Sequence, residues 1–249
     1  MDNDKKLDIK NRIKFIEELE LDIPKIEKEI EITSENPTAA VDAGSLQSFV
    51  AYLDSQGKSD VLNSTLLAQL AANKKFNREE KPEEWYKFYS NVLENVGWVL
   101  QAFDFNKYNA SSASFETSKM ILDVVAALCS ANELLIVRST IKALNDLKTD
   151  DKRVKLFEQT SHTLKKGNFQ IAVCSQENKQ ITMKIGCFYF STAENVVRVL
   201  WHKFESGKTD MYQGAQVITL NTDTYSHVRD SVIKKLGNNA AKFIDELEI

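Results

Sequence analysis

Proline and cysteine are scarce in this 249-residue chain, at three residues each. The prolines, Pro24, Pro37 and Pro82, all fall early, so no proline-rich linker separates later segments. The cysteines, Cys129, Cys174 and Cys187, are odd in number and far apart, which excludes the disulfide framework of a small secreted domain and fits a reducing compartment. Positive charge is not in excess. With 32 Lys plus Arg against 36 Asp plus Glu, the net charge of -4 offers no electrostatic basis for phosphate-backbone binding, and nucleic acid is not an expected partner. A constitutive membrane span is also missing, because the longest apolar stretch, 120–137, is broken by Asp123, Asn132 and Glu133. Residues 1–14 are charged and lack the apolar core of a secretory signal. The expectation is a soluble, cytoplasmically made protein, with release by another route left open.

Hydrophobic residues make up 43% of the chain, ample for a core. Their period changes near Gly167, from helical spacing to strand-like alternation, and returns to helical spacing from Thr222. This predicts an α+β protein: a mostly helical body over about 5–164, a four-stranded antiparallel sheet over about 168–220, and C-terminal helices over about 223–247. One interlocked unit over 1–249 is expected, with a possible subdivision into 1–165 and 166–249.

Ile13, Ile16, Leu19, Ile23, Ile26 and Ile30 form a helical stripe that Pro24 divides into two helices. Apolar groups between Ser45 and Phe76, separated by Ser55-Gln56-Gly57, predict an αα-hairpin. Pro82, Glu83 and Glu84 open the next helix, whose apolar face from Trp85 extends to about Gln101, with Gly97 marking a helix crossing or bend. The segment 120–129 is apolar nearly all round and predicts a buried helix, followed closely by a second through Leu147. Strands are expected from Phe169, over 181–190, over 196–204 and over 212–220, the second apolar on both faces in its latter half. Thr222 or Asp223 caps a helix that Gly237 ends, and a last helix follows.

Chemistry is poorly represented. His162, His202 and His227 have no nucleophile in a recognised local arrangement. Cys174 and Cys187 with His162 and His202 are zinc-ligand types but lack paired ligand spacing. The acidic groups at 17–20 and 27–31 lack the glycine of a calcium loop, and no phosphate-binding loop is present. The aromatic cluster at 85–89 follows helical spacing and reads as core. No catalytic, cofactor-binding or metal-binding residue is assigned, and no cofactor is expected.

Two functional classes are compatible with this pattern. A non-enzymatic protein acting through a protein partner or self-association would use Trp201, Phe204, Met211 and Tyr212, because aromatics and methionine anchor interfaces. The alternative is a membrane-active toxin or effector that inserts, after a conformational change, either the apolar helical hairpin (Met120, Leu122, Val125, Leu128, Leu135) or the aromatic strand (Phe188, Phe190). Charged residues in the hairpin oppose that alternative unless they are paired or face water.

Overall fold

A computed structural model describes residues 3–23, 38–50, 53–178 and 180–249. The elements run α1 (Asn3–Glu18), β1 (Ala39–Asp42), β2 (Ser45–Phe49), α2 (Ser55–Lys75), α3 (Pro82–Val96), β3 (Trp98–Val99), β4 (Asn106–Lys107), β5 (Ser114–Glu116), α4 (Thr117–Ala126), α5 (Ala131–Asp146) and α6 (Lys152–Ser161). The chain continues through β6 (Lys166–Glu177), β7 (Gln180–Thr192), a 3₁₀ turn (Val199–Trp201), β8 (Lys203–Glu205), β9 (Thr209–Leu220), α7 (Thr222–Leu236), a second 3₁₀ turn (Gly237–Asn239), α8 (Ala240–Phe243) and β10 (Ile244–Leu247).

An eight-stranded mixed sheet occupies the middle, in the order β10-β1-β2-β6-β7-β9-β3, with β4 also paired to β9. The expected antiparallel meander forms its centre as β6-β7-β9, in registers that oppose Phe169 to Phe188 and Phe188 to Gln213. Strand β2 joins β6 in parallel, with Leu46 beside Ile171. Both faces are covered, which accounts for the loss of alternation along β7. Helices α4, α5 and α6 pack on one side, here the hairpin face, where α4 meets β7 and β9 and α5 meets β2 and β6. Helices α1, α2, α3 and α7 pack together on the other, the four-helix face.

Five expectations about the elements themselves need correction. The sheet has eight strands, not four, and is mixed. Part of the presumed αα-hairpin at 45–76 is strand β2: all five of its residues are buried, so Ser45, Gln47 and Ser48 sit inside and erase the polar alternation that would have marked it. Their polarity is satisfied internally, for example by Ser48 Oγ donating to Thr140 Oγ1 at 2.8 Å. The strand expected over 196–204 is a 3₁₀ turn followed by β8, which pairs with β5 in a separate two-stranded sheet. Helix α3 stops at Val96, because Gly97 adopts φ 111° as its C-cap. Finally, the closing helix is only α8, and the chain then extends as β10 against β1. The helix expected after Pro24 lies largely outside the described residues.

Local signals explain other boundaries. Asp54 caps α2 by accepting from Gly57 N–H at 2.7 Å, and Asn221, not Thr222 or Asp223, accepts from Thr224 N–H to start α7. Arg78, in the connection between α2 and α3, is buried and donates to the carbonyls of Thr160 and Asn168, tying α6 to the start of β6. At Gly44 a Cβ would meet Arg78 Nη2 at 2.6 Å and Thr160 O at 2.7 Å, so the β1-β2 turn can pass this clamp only without a side chain.

Candidate membrane-active region

Ser130 and Glu133 form a capping box at the start of α5, so the S-x-x-E spacing fixes where the α4-α5 hairpin turns. The inner side of α4 buries Thr117, Met120, Ile121 and Val125, while α5 buries Val137, Thr140, Ile141 and Leu144. Leu122, Val124, Leu134 and Ile136 are half-buried against the core, whereas the outermost positions carry Lys119, Asp123, Asn132, Arg138, Lys142 and Asp146 beside Leu135, which is 58% exposed. Leu128 is half-buried in the turn. At 10 and 16 residues, the two helices span roughly 15 and 24 Å. Both are shorter than the roughly 30 Å of bilayer hydrocarbon. Among the described residues, no helix is long and apolar enough to cross a membrane.

The strands beneath are longer. β6, β7 and β9 contain 12, 13 and 12 residues. At about 3.3 Å per residue each reaches roughly 40 Å. Along 167–176, 181–191 and 211–220 the only charged side chain is Lys184. The hairpin face presents Phe169, Ile171, Val173, Phe188, Phe190, Met211, Ala215 and Val217 interspersed with Thr182, Lys184, Gln213 and Thr219, and Phe169 and Phe188 stack at 5.2 Å between ring centroids. At Gly186 a Cβ would meet Val125 Cγ1 at 3.0 Å, so this glycine lets α4 approach the sheet. The four-helix face is more polar along β6, with Asn168 and Gln170 hydrogen-bonded to each other at 3.0 Å and Gln170 donating to Tyr86 OH at 2.9 Å.

Lys184 is the polar tie between sheet and hairpin. Its ammonium donates to Glu133 Oε2 at 2.6 Å, and the same oxygen accepts from Ser130 N–H and Ser130 Oγ at 2.7 Å each. Only 10% of the Glu133 side chain and 20% of the Lys184 side chain are exposed. Burial alone would raise the Glu133 carboxyl, but the Lys184 ammonium and the Ser130 donors outweigh it and hold the group below the ordinary glutamate range. Sequence reading treated Glu133 only as an interruption of an apolar run; the capping-box spacing was the signal for its role.

A second polar cluster lies under α2 on the four-helix face. Asp42 Oδ2 accepts from Gln47 Nε2 at 2.7 Å and Thr65 Oγ1 at 2.6 Å, while Oδ1 is buried with no hydrogen-bond partner among the described residues. Desolvation dominates, and the carboxyl is pushed up to about 8 despite those two donors. Nothing in the local sequence around Val41-Asp42-Ala43 marks it.

The sequence-derived contact residues do not form one surface. Phe204 is fully buried, packed on Phe115 and Phe190 at 5.6 and 5.0 Å, and Met211 is buried opposite Phe190. Trp201 is half-buried beneath the Arg198 guanidinium, 4.2 Å from its ring, on the α4 side. Tyr212 stacks on Tyr189 at 4.7 Å and, by strand alternation from Met211, projects to the opposite face. Phe188 and Phe190 are buried beneath the hairpin layer, and Met120 and Val125 are buried on its inner side. The histidines are dispersed: His162 pairs with Glu158 at 2.6 Å, His202 packs edge-on against Phe204, and His227 lies 3.9 Å from Asp223. Cys174 and Cys187 are buried in β6 and β7. Among the described residues, no three His, Cys, Asp or Glu side chains converge as metal ligands would.

No protein-family model and no curated protein matches the chain. Among solved structures, its architecture is similar to that of the Evf virulence factor, at 12% identity and TM-score 0.40, over 97% of this chain and 91% of that one. It is also similar to a delta-endotoxin, at 13% identity and TM-score 0.45, over 82% and 96%. A third likeness is to the activated Cyt2Ba monomer from Bacillus thuringiensis subsp. israelensis, at 10% identity and TM-score 0.37, over 72% and 97%. At these levels the likeness concerns architecture alone.

Proposed function

We propose that the chain is a membrane-active effector in which the α4-α5 hairpin leaves the sheet and the central strands, not the hairpin, enter the bilayer. The supporting observation is the mismatch of lengths beneath one cover: three adjoining strands of 12 to 13 residues carry a mainly apolar face. A tilted transmembrane strand needs about 9–11 residues. The covering helices are too short to span. A strand inserted with that face toward lipid would turn Asn168 and Gln170 of β6 toward an aqueous interior, the direction expected of polar side chains in a membrane β-sheet. Backbone groups at the sheet edges require pairing in hydrocarbon, so insertion implies assembly of several copies. Cytoplasmic synthesis followed by release through a route other than a secretory signal completes the proposal.

The test is a reversible tether. Ser48 on β2 and Thr140 on α5 bring their hydroxyls within 2.8 Å, so S48C/T140C places two thiols where a disulfide would fasten α5 to the sheet. Oxidised S48C/T140C should leave dye-filled liposomes intact, and reductant should restore leakage and lipid-dependent oligomers. Equal leakage in both redox states would defeat hairpin release; intact vesicles with reduced wild-type protein over a range of pH and lipid charge would defeat the membrane reading.

The partner-binding reading retains one specific support. Leu164 and Val197 are 61% and 68% exposed, and the bond from Val196 N–H to Leu164 O gathers them at one corner, with half-buried Trp201 four positions further along the chain. Trp201→Ala should weaken partner capture without lowering the melting temperature; a large fall in melting temperature would assign it to packing.

A further inference from the structure

The two ends of the eight-stranded sheet are unequal. At one end β10 has four residues, bears Asp245 and Glu246, and has its Glu246 carbonyl accepting from Arg153 Nη1 at 3.4 Å, so charge and a side-chain cap blunt that edge. At the other end β9 has 12 residues, and positions 211–220 carry no charge. Its in-plane neighbours are only two residues each: β3 pairs with Thr219 and Leu220, and β4 with Tyr212 and Gln213.

Between β3 and β4 the chain forms a strap, residues 100–105, opposite residues 214–218 of β9, one fewer, so the two stretches cannot join in one regular ladder. The strap leaves the sheet plane. A Cβ at Gly214 would meet Asp104 O at 2.9 Å and the Phe105 ring at 3.3 Å, and by alternation from Tyr212 that Cβ points to the four-helix face. Phe105 packs there on Tyr86 and Tyr189, at 4.8 and 5.1 Å. The backbone of Gln101 is bonded by the Gln216 side chain, at 3.1 Å to its N–H and 3.0 Å to its carbonyl. Tyr108 N–H donates to Met211 O, which fixes Met211 as an edge-facing residue. Alternation then turns the N–H and C=O of Ala215 and Val217 outward, where no ladder partner meets them among the described residues.

We propose that the strap guards β9 against other chains and that, once β4 detaches, the edge over 211–218 pairs antiparallel with the same edge of a second copy. The occupant follows from the chemistry of the edge. Antiparallel pairing of identical strands is self-complementary about a twofold axis, and an uncharged edge sets no like charges against each other across it. An axis perpendicular to the sheet keeps the hairpin faces of both copies on one side, so the face read as lipid-facing continues across the join. Trp98 anchors β3 by donating to Ser64 Oγ at 3.0 Å, whereas β4 is exposed and held by the exposed Lys107–Asp210 pair, a weak fastening. As the assembly step of bilayer insertion the pairing rests on the membrane reading; as a joining of edges it needs no lipid, and the two are tested apart.

Lys107→Glu sets like charges at the fastening of β4 and should raise dimerisation of the full chain in lipid-free solution by about fivefold, read by sedimentation equilibrium, with an unchanged melting temperature. Adding Val217→Pro should return that protein to monomer, because it deletes an outward N–H that bonds nothing in the single copy. Val217→Thr keeps the N–H and should keep the dimer. Ala215→Pro is the same probe at the neighbouring outward position if Val217→Pro lowers the melting temperature. A Lys107→Glu protein that stays monomeric up to its solubility limit overturns the proposal, as does a dimer that survives either proline in a folded chain. With liposomes, loss of lipid-dependent oligomers in Val217→Pro would place this edge in the membrane assembly, whereas oligomers and leakage at the wild-type level would remove it from that assembly and leave hairpin release to its own tether test.

Discussion

Glu133→Gln isolates the tie between the hairpin and the sheet. Glutamine keeps the capping-box geometry and can still accept from Ser130, but it removes the charge facing Lys184. An exposed ion pair would contribute about 0–1 kcal/mol, and breaking a fully buried one costs about 3–5 kcal/mol. With side-chain exposures of 10% and 20%, this pair falls between those limits, and a loss of about 2 kcal/mol is expected. That corresponds to roughly thirtyfold more frequent opening of α4-α5 if the loss is local. The pH dependence has a definite sign. Because the folded carboxyl sits below its ordinary value of 4.5, its stabilisation is present above that value and disappears as pH falls through the folded value. Urea melts at neutral and acidic pH, with amide exchange resolved along α5, would measure both effects. Wild type should lose this contribution in acid, whereas Glu133→Gln should lack that component and leak vesicles faster at neutral pH. Unaltered α5 exchange, or the same acid sensitivity in both proteins, would refute the tie.

Three further outcomes follow from groups elsewhere in the fold. Asp42 has the opposite pH signature: the folded state holds its proton up to about 8, while the unfolded chain releases it near 3.8, so stability falls as pH rises between those values. Asp42→Asn should flatten that slope and exceed wild type in melting temperature above pH 8, a result checked by calorimetry across pH. Arg78→Met should destabilise by about 2–4 kcal/mol, read by urea midpoint, because it leaves the Thr160 and Asn168 carbonyls without their donor. Gly97→Ala places a side chain at φ 111° and should cost about 1–2 kcal/mol, visible as a lower melting temperature.

The central meander and the α4-α5 hairpin were legible from local pattern: β6 alternates, β7 turns apolar where it is covered on both faces, the α4 segment is apolar nearly all round, and α5 repeats apolar residues at helical spacing. Strand β2 was not, because its inward polar residues are satisfied by α2, α5 and β6, contacts invisible to a local window. The end of α3 was misread since the apolar pattern persists from Val96 into Trp98 and Val99, while Gly97 changes the backbone direction. For the candidate region, Phe188 and Phe190 stood out, but Glu133 and Lys184 meet only through tertiary packing. The close approach of residues 104 and 105 to β9 was illegible for the same reason: that segment has no period, and the role of Gly214 emerges only when Asp104 and Phe105 lie over it.

The parallel seam between β2 and β6 also imposes a schedule on synthesis. Ser45 and Gln170, hydrogen-bonded across it, are 125 positions apart, and Thr38 reaches Leu247 across 209. At about 5–20 residues per second, β2 waits on the order of 6–25 seconds on the ribosome before its neighbour exists. During that interval the nascent β1-β2 ribbon has no final neighbour on either side, so its edges invite pairing with other chains. Yield in the cell should therefore depend on elongation rate and chaperone supply more than native-state stability alone would suggest.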